Sequence, residues 1–277
     1  LLVDRVHHHH HLARAHHSVP LVVARRVLFP LRRNAASLAR YRAAACIVAV
    51  SRAVRGELCA AGLDLARIEL VPDGVELAPP ITGGERTLAK ARWGIAADRP
   101  VVAYVASLTA EKGHDLLLDT IAILCRTAPS CCLLLAGSGP LQHALQEKAR
   151  AAGLLSNVLF AGFVEEPRSV YAACDVFLFP SLREGLGSAL LSAMSCGLPV
   201  VAFEGGATAD VLEDGRNGLA VEPAAPLLAA AAALLFRDGD LAHRLGEAAR
   251  ETVKAHFPAN GMVEATARIY ERLIADL

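Results

Sequence analysis

From residue 101 onward, short apolar runs alternate with stretches whose apolar positions recur every three or four residues. The runs at 101–106, 131–136, 158–161, 175–179 and 199–203 are nearly continuous in Val, Leu, Phe, Ala and Cys, as expected of strands covered on both faces. Helical spacing occupies 113–126 and 141–152, a shorter piece at 167–173, and a segment from Gly187 in which Leu190, Leu191 and Met194 share one face. Strands that alternate with helices are joined by right-handed crossovers, so the pattern predicts an α/β domain built on a parallel sheet. Two further helical stretches, 224–236 and 241–277, close the chain.

Upstream the pattern is sparser. Residues 21–23 and 47–50 read as strands. Ser51 is placed to cap a helix that runs through Leu58 and stops at Gly62, and the apolar run from Ile68 ends in the turn Pro72-Asp73-Gly74. Pro79, Pro80, Gly83 and Gly84 then mark a linker. The division expected is a first domain over 1–78, a linker over 79–98, a second domain over 99–255 and a terminal helix over 256–277.

Composition narrows the class. The chain has 277 residues, is 54% hydrophobic and carries no net charge, so it can bury a sizeable core. The charge is unevenly spread: residues 1–57 hold ten Arg against Asp4 and Glu57, which leaves 18 basic and 26 acidic residues for the remainder. Such a basic portion either faces an anionic acceptor, a membrane surface or a nucleotide, or is a solvated face with no partner. Seven cysteines, an odd number with no Cys-x-x-Cys pair, argue against a disulfide framework and point to a reducing, cytoplasmic setting. The charge-free runs 185–203 and 223–236 are interrupted by Gly, Pro and Ser or are too short to cross a bilayer.

The most informative segment is Arg183-Glu184-Gly185-Leu186-Gly187-Ser188, because it puts a carboxylate and two glycines between a strand and a helix. Glu184 falls at the carboxyl edge of a parallel sheet, and the glycines let an anion approach the free N–H groups at the helix start. Together with Gly197-Leu198-Pro199-Val200-Val201, the run resembles the motif of retaining nucleotide-sugar glycosyltransferases of the family 4 group, which have the GT-B architecture of two facing Rossmann-like domains. That resemblance implies two parallel sheets, the first domain incomplete, and a carboxyl-terminal helix that returns to the first domain. It implies that Glu184 contacts the donor sugar, that the amides of Gly185, Leu186 and Gly187 hold the diphosphate, and that position 192 grips the ribose. The family has a second Glu there. Ser192 offers only a neutral hydrogen bond, about half as strong as a charge-assisted one.

The same resemblance assigns Lys112, in the loop after the 101–106 strand, to the departing diphosphate; the Arg that usually accompanies it is Ser107 here. Gly139, in Gly137-Ser138-Gly139-Pro140, marks a tight turn or an amide facing the nucleotide. Gly162, Phe163 and Val164 either line the base or are a strand exit. Gly206 and Asp210 would back the donor phosphate and sugar. The first residues, Asp4-Arg5-Val6-His7-His8-His9, resemble a family segment that places His9, or failing that His7, in the cleft; the alternatives are an exposed run without a role and a purification tag. A chain that starts at Leu1 without the family's glycine-rich loop is expected to be a fragment lacking part of its acceptor site.

The expectation is therefore a sugar transferase that acts with retention, needs no metal or other cofactor, and takes a nucleotide-diphosphate sugar as donor. Its partners would be a glycan or glycolipid acceptor and an anionic membrane touched peripherally, with no nucleic acid. Arg25, Arg26, Phe29, Pro30, Arg32 and Arg33 resemble a branch engaged in cell-surface polysaccharide or lipopolysaccharide synthesis. Two other readings stay open. Ser107 and Ser192 suit a catalytically weak nucleotide-sugar-binding homologue, and a nucleotide-sugar epimerase shares the architecture.

Overall fold

Residues 19–31 and 35–275 are described in a computed structural model of the chain. His9, His7, Arg32 and Arg33 lie outside the described residues. The amino-terminal part forms a parallel sheet of β1 (Val22–Arg25), β2 (Cys46–Ala49) and β3 (Ile68–Leu70), in that order. Helix α1 (Ala35–Arg42) connects the first two strands, and α2 (Arg52–Ala60) the second and third. Ser51 caps α2 as its sequence position suggests, its Oγ accepting the Val54 N–H at 3.1 Å.

The larger sheet holds β4 (Val101–Val105), β5 (Cys132–Ala136), β6 (Val158–Gly162), β7 (Val176–Phe179), β8 (Val200–Phe203) and β9 (Leu219–Val221). All neighbours are parallel, in the order β6-β5-β4-β7-β8-β9. The chain thus winds outward from β4 in one direction and from β7 in the other. A crevice opens where the order reverses, outside the carboxyl ends of those two strands. Helices α4 (His114–Thr127), α5 (Gln142–Ala151), α6 (Arg168–Ala173), α7 (Ser188–Ser195), α8 (Ala225–Arg237) and α9 (Gly239–His256) cover the sheet. Strands β4, β5, β7 and β8 are buried almost throughout, which explains their unbroken apolar composition.

Three features depart from the sequence reading. The expected linker at 79–98 contains α3 (Gly83–Arg92), because Thr82 Oγ1 accepts the Glu85 N–H at 3.1 Å and starts a helix despite the two glycines. Helix α1 and the edge strand β9 are not predicted by the spacing: α1 is short and only partly apolar, and β9 has three residues, each half-buried. The tail is also two helices, α9 and α10 (Ala259–Ala275), since Pro258 lacks the N–H that a continuous helix would need.

Helix α10 crosses back onto the small sheet, where Ile269 packs with Val22, Cys46, Val48 and Val71. The crossing is pinned by the Val75 N–H donating to Phe257 O at 2.9 Å and the Ala259 N–H to Val75 O at 3.1 Å. Among the described residues no helix is long and apolar enough to cross a membrane.

At the amino end of β7, Asp175 organises a charged cluster. Its Oδ2 accepts from Lys90 Nζ at 2.9 Å and from the Val101 N–H at 2.9 Å, while Oδ1 accepts from Arg86 at 2.8 Å. The Lys90 side chain is only 5% exposed, so its charge depends on this partner and on the carbonyls of Ala97 and Arg99. Asp175→Ala leaves that ammonium uncompensated, and urea denaturation should show a loss of about 3 kcal/mol, the lower end of the cost of breaking a buried pair.

Candidate active site

The crevice at the strand-order reversal is framed by two loops, one after β4 and one after β7. The first runs through Ser107 and a single 3-10 turn at Ala110–Lys112 before α4 begins; the second carries Ser181, Glu184 and the glycines that precede α7. They approach closely at Gly113, which has a φ of 70° and whose Cβ, if it had one, would lie 2.0 Å from Pro180 O. Only glycine permits both the left-handed backbone and the approach. The Leu182 N–H also donates to Glu111 O at 2.8 Å, so each loop fixes the other.

This contact brings Lys112 and Glu184 together. Lys112 Nζ donates to Glu184 Oε1, and the two side chains are 20% and 15% exposed. Ser181 Oγ donates to the same oxygen at 2.9 Å. Among the described residues no donor is recorded to Oε2, which leaves one carboxylate oxygen for a ligand. Behind the pair lies Tyr104, wholly buried, whose hydroxyl donates to Lys112 O at 3.2 Å. Its ring packs against His114, Phe179 and Phe177 at centroid separations of 5.4, 5.9 and 6.3 Å. Burial pushes the Tyr104 pKa well up, with the Glu184 charge adding to the effect, so the phenol keeps its proton.

Helix α7 starts at Gly187, where φ is 96° and no side chain caps the helix. Its first N–H groups therefore remain available to an anion. Gly185 is buried against the first domain, its ideal Cβ position 1.9 Å from Arg26 O, and only glycine tolerates that approach. Leu186 is buried beside it. Leu28 reaches over to Gly206, and together with Ser181, Leu182, Glu184 and Thr208 it lines a cavity of about 80 Å³.

The other residues singled out in the sequence are distributed around this centre. Ser107 is exposed, its Oγ 3.3 Å from Thr109 Oγ1 and its carbonyl 2.9 Å from His114 Nε2. Gly139 backs directly onto Leu108, and Gly137 donates to Gly162 O at 2.7 Å, so the loops after β4, β5 and β6 form one connected rim. Phe163 stands on that rim 77% exposed, with Val164 half-buried behind it. Ser192 is half-buried on α7, one turn after Ala189, whose carbonyl accepts from the Tyr171 hydroxyl at 3.4 Å. Asp210, expected behind the donor, instead accepts the Arg52 N–H and side chain, the latter at 3.0 Å, and so ties its loop to the start of α2 in the other domain. A carboxylate at a helix amino end is favoured there by the exposed N–H groups.

Sequence reasoning missed Tyr104 and Ser181. A single polar tip in the otherwise apolar Val101–Val105 strand, and a hydroxyl three residues before Glu184, were the signals available.

Comparisons with known proteins agree with this geometry. The family model for glycosyl transferases group 1 matches residues 85–252, and that for glycosyltransferase family 4 matches residues 3–78. The chain belongs to the glycosyl transferases of group 1. Among relatives of this glycosyltransferase chain, alpha-maltose-1-phosphate synthase of Mycolicibacterium smegmatis is 31% identical over 252 residues, 84% of this chain and 64% of that protein. The lipopolysaccharide core biosynthesis glycosyltransferase LpsE of Rhizobium meliloti is 32% identical over 187 residues, 66% of this chain and 54% of that protein. The crystal structure of Anabaena HepE in complex with UDP and glucose superposes with a TM-score of 0.79 at 24% identity, over 92% of this chain and 71% of that one, which establishes the shared GT-B fold. The chain spans about half the length of several curated relatives it matches.

His114 provides a measurable property of the site. Because Ser107 O can only accept, Nε2 carries the imidazole proton, and Nδ1 is buried without a partner. Burial lowers the His114 pKa, with the neighbouring Lys112 charge acting in the same sense. A histidine depressed below its ordinary value of about 6.5 stabilises the fold above that pH and loses this contribution on acidification, because the unfolded chain takes up the proton first. Between about pH 7 and pH 5, the wild type should lose more thermal stability than His114→Gln; parallel melting curves would refute the assignment.

Proposed function

We propose that this chain carries the donor site of a glycosyltransferase that moves a sugar from a nucleotide-diphosphate sugar to an acceptor hydroxyl with retention of configuration. The observation that carries the reading is the Lys112–Glu184 pair beside the amino end of α7, in the crevice where the strand order reverses. A cation and free helix N–H groups suit a diphosphate, and a carboxylate next to them suits sugar hydroxyls.

In this mechanism the bond from the anomeric carbon to the phosphate oxygen breaks as the bond to the acceptor oxygen forms, and the acceptor proton passes to the departing phosphate. Lys112 and the amides at the start of α7 stabilise the charge that develops on the leaving group. Glu184 Oε2 orients the sugar while its anomeric carbon becomes cationic. The reaction calls on no cofactor, because the nucleotide sugar is the substrate. Pockets for drug-sized ligands occupy about 300 Å³ or more, so the loop bearing Leu28 draws back from Gly206 when the donor enters the 80 Å³ cavity.

Phe163 supplies an exposed face at the rim for the base, and Ser192 can give the ribose a neutral bond. The likeness to LpsE supports a place in cell-surface polysaccharide or lipopolysaccharide synthesis, with a glycan or glycolipid acceptor. The exposed Arg26 and Arg52 of the first domain suit an anionic acceptor or peripheral contact with an anionic membrane.

Calorimetric titration with UDP, GDP, ADP and their sugar conjugates tests the donor site. One nucleotide should bind saturably, and Lys112→Ala should weaken it by about tenfold, the value of a charge-assisted hydrogen bond. Glu184→Ala should keep at least wild-type affinity for the bare nucleotide, since it frees Lys112, while erasing selectivity for the sugar. Binding without transfer to any acceptor in the full-length protein would favour the non-catalytic homologue; no binding at all would sink the donor-site reading.

A further inference from the structure

Glu184 receives two donors on one oxygen, and they differ in what a ligand would do to them. Lys112 is one fifth exposed and carries the charge that a diphosphate attracts. Ser181 is buried, 6% exposed, and its hydroxyl has one proton, directed to the carboxylate at 2.9 Å; Glu111 O lies farther away at 3.4 Å. The buried Tyr104 hydroxyl donates instead to the carbonyl of Lys112 at 3.2 Å. The Ser181 proton thus points at Glu184 Oε1, while the Tyr104 proton is spent on the backbone of the loop that carries Lys112.

We propose that Ser181 is a positioning residue that holds the Glu184 carboxylate when Lys112 leaves it for the donor diphosphate. In the free protein Lys112 and Ser181 share Oε1; in the loaded protein Ser181 alone keeps that oxygen in place, and Oε2 stays aimed at the sugar. This inference rests on the donor-site reading above.

The test uses the whole chain and compares two dissociation constants, for the nucleotide found to bind and for its sugar conjugate. Ser181→Ala should leave the bare-nucleotide value within about twofold while raising the ratio of conjugate to nucleotide by about tenfold. Ser181→Cys, which keeps the size but donates more weakly, should move the ratio in the same direction by a smaller factor. A merely structural role for Ser181 would weaken both ligands together and overturn the proposal, as would an unchanged ratio. Should Ser181→Ala melt below the assay temperature, Ser181→Cys carries the test, and a wild-type ratio there overturns it. If the wild type binds no nucleotide, the donor-site reading itself falls, an outcome distinct from binding whose ratio ignores Ser181.

Discussion

The close approach of the loops after β4 and β7 is the constraint on which the site depends. Two parallel strands with hydrogen-bonded registers, Val102 opposite Val176 and Ala103 opposite Phe177, send their chains away in opposite directions. Their loops would diverge if nothing joined them. Gly113 lies against Pro180, and the Leu182 N–H bonds to Glu111 O, so the divergence is delayed long enough for Lys112 and Glu184 to meet. A backbone approach that only glycine permits therefore decides where two charges stand. Preorganised charge of this kind is what leaving-group stabilisation requires.

The two ends of the large sheet handle charge differently. At the amino end of β7, Asp175 is satisfied by Lys90, Arg86 and the Val101 amide, a cluster closed on itself that leaves little for a ligand. At the carboxyl end, Glu184 has both recorded donors on one oxygen, and α7 begins with uncapped N–H groups. Closed networks contribute to the fold. The open one is available for chemistry.

The first domain is not an appendage of the second. Helix α10 contributes Ile269 to the core of the small sheet, and Asp210 ties the loop around Gly206 to the start of α2. The segment from Arg26 to Leu28 covers Gly185 and touches Gly206, so the small domain forms part of the cavity wall. Any movement between the domains is felt at this cavity through these contacts.

The amino-acid sequence by itself determined the strand and helix alternation after residue 101, because strands covered on both faces must be apolar almost throughout and the helices between them only on one side. It also determined the candidate Glu184, since a carboxylate followed by glycines at a strand-to-helix junction is a local feature, while Lys112 was legible only through the family resemblance. Short or half-polar elements escaped it: α1, α3 and β9 are stabilised by contacts or caps that hydrophobic spacing does not reveal. Only the tertiary structure decided that Lys112 and Glu184, 72 residues apart, share an ion pair, that Tyr104 and Ser181 stand behind it, and that Asp210 serves the domain contact. Those relations depend on which strands become neighbours and how closely their loops approach, and neighbour choice arises from packing the whole sheet, which no single segment encodes.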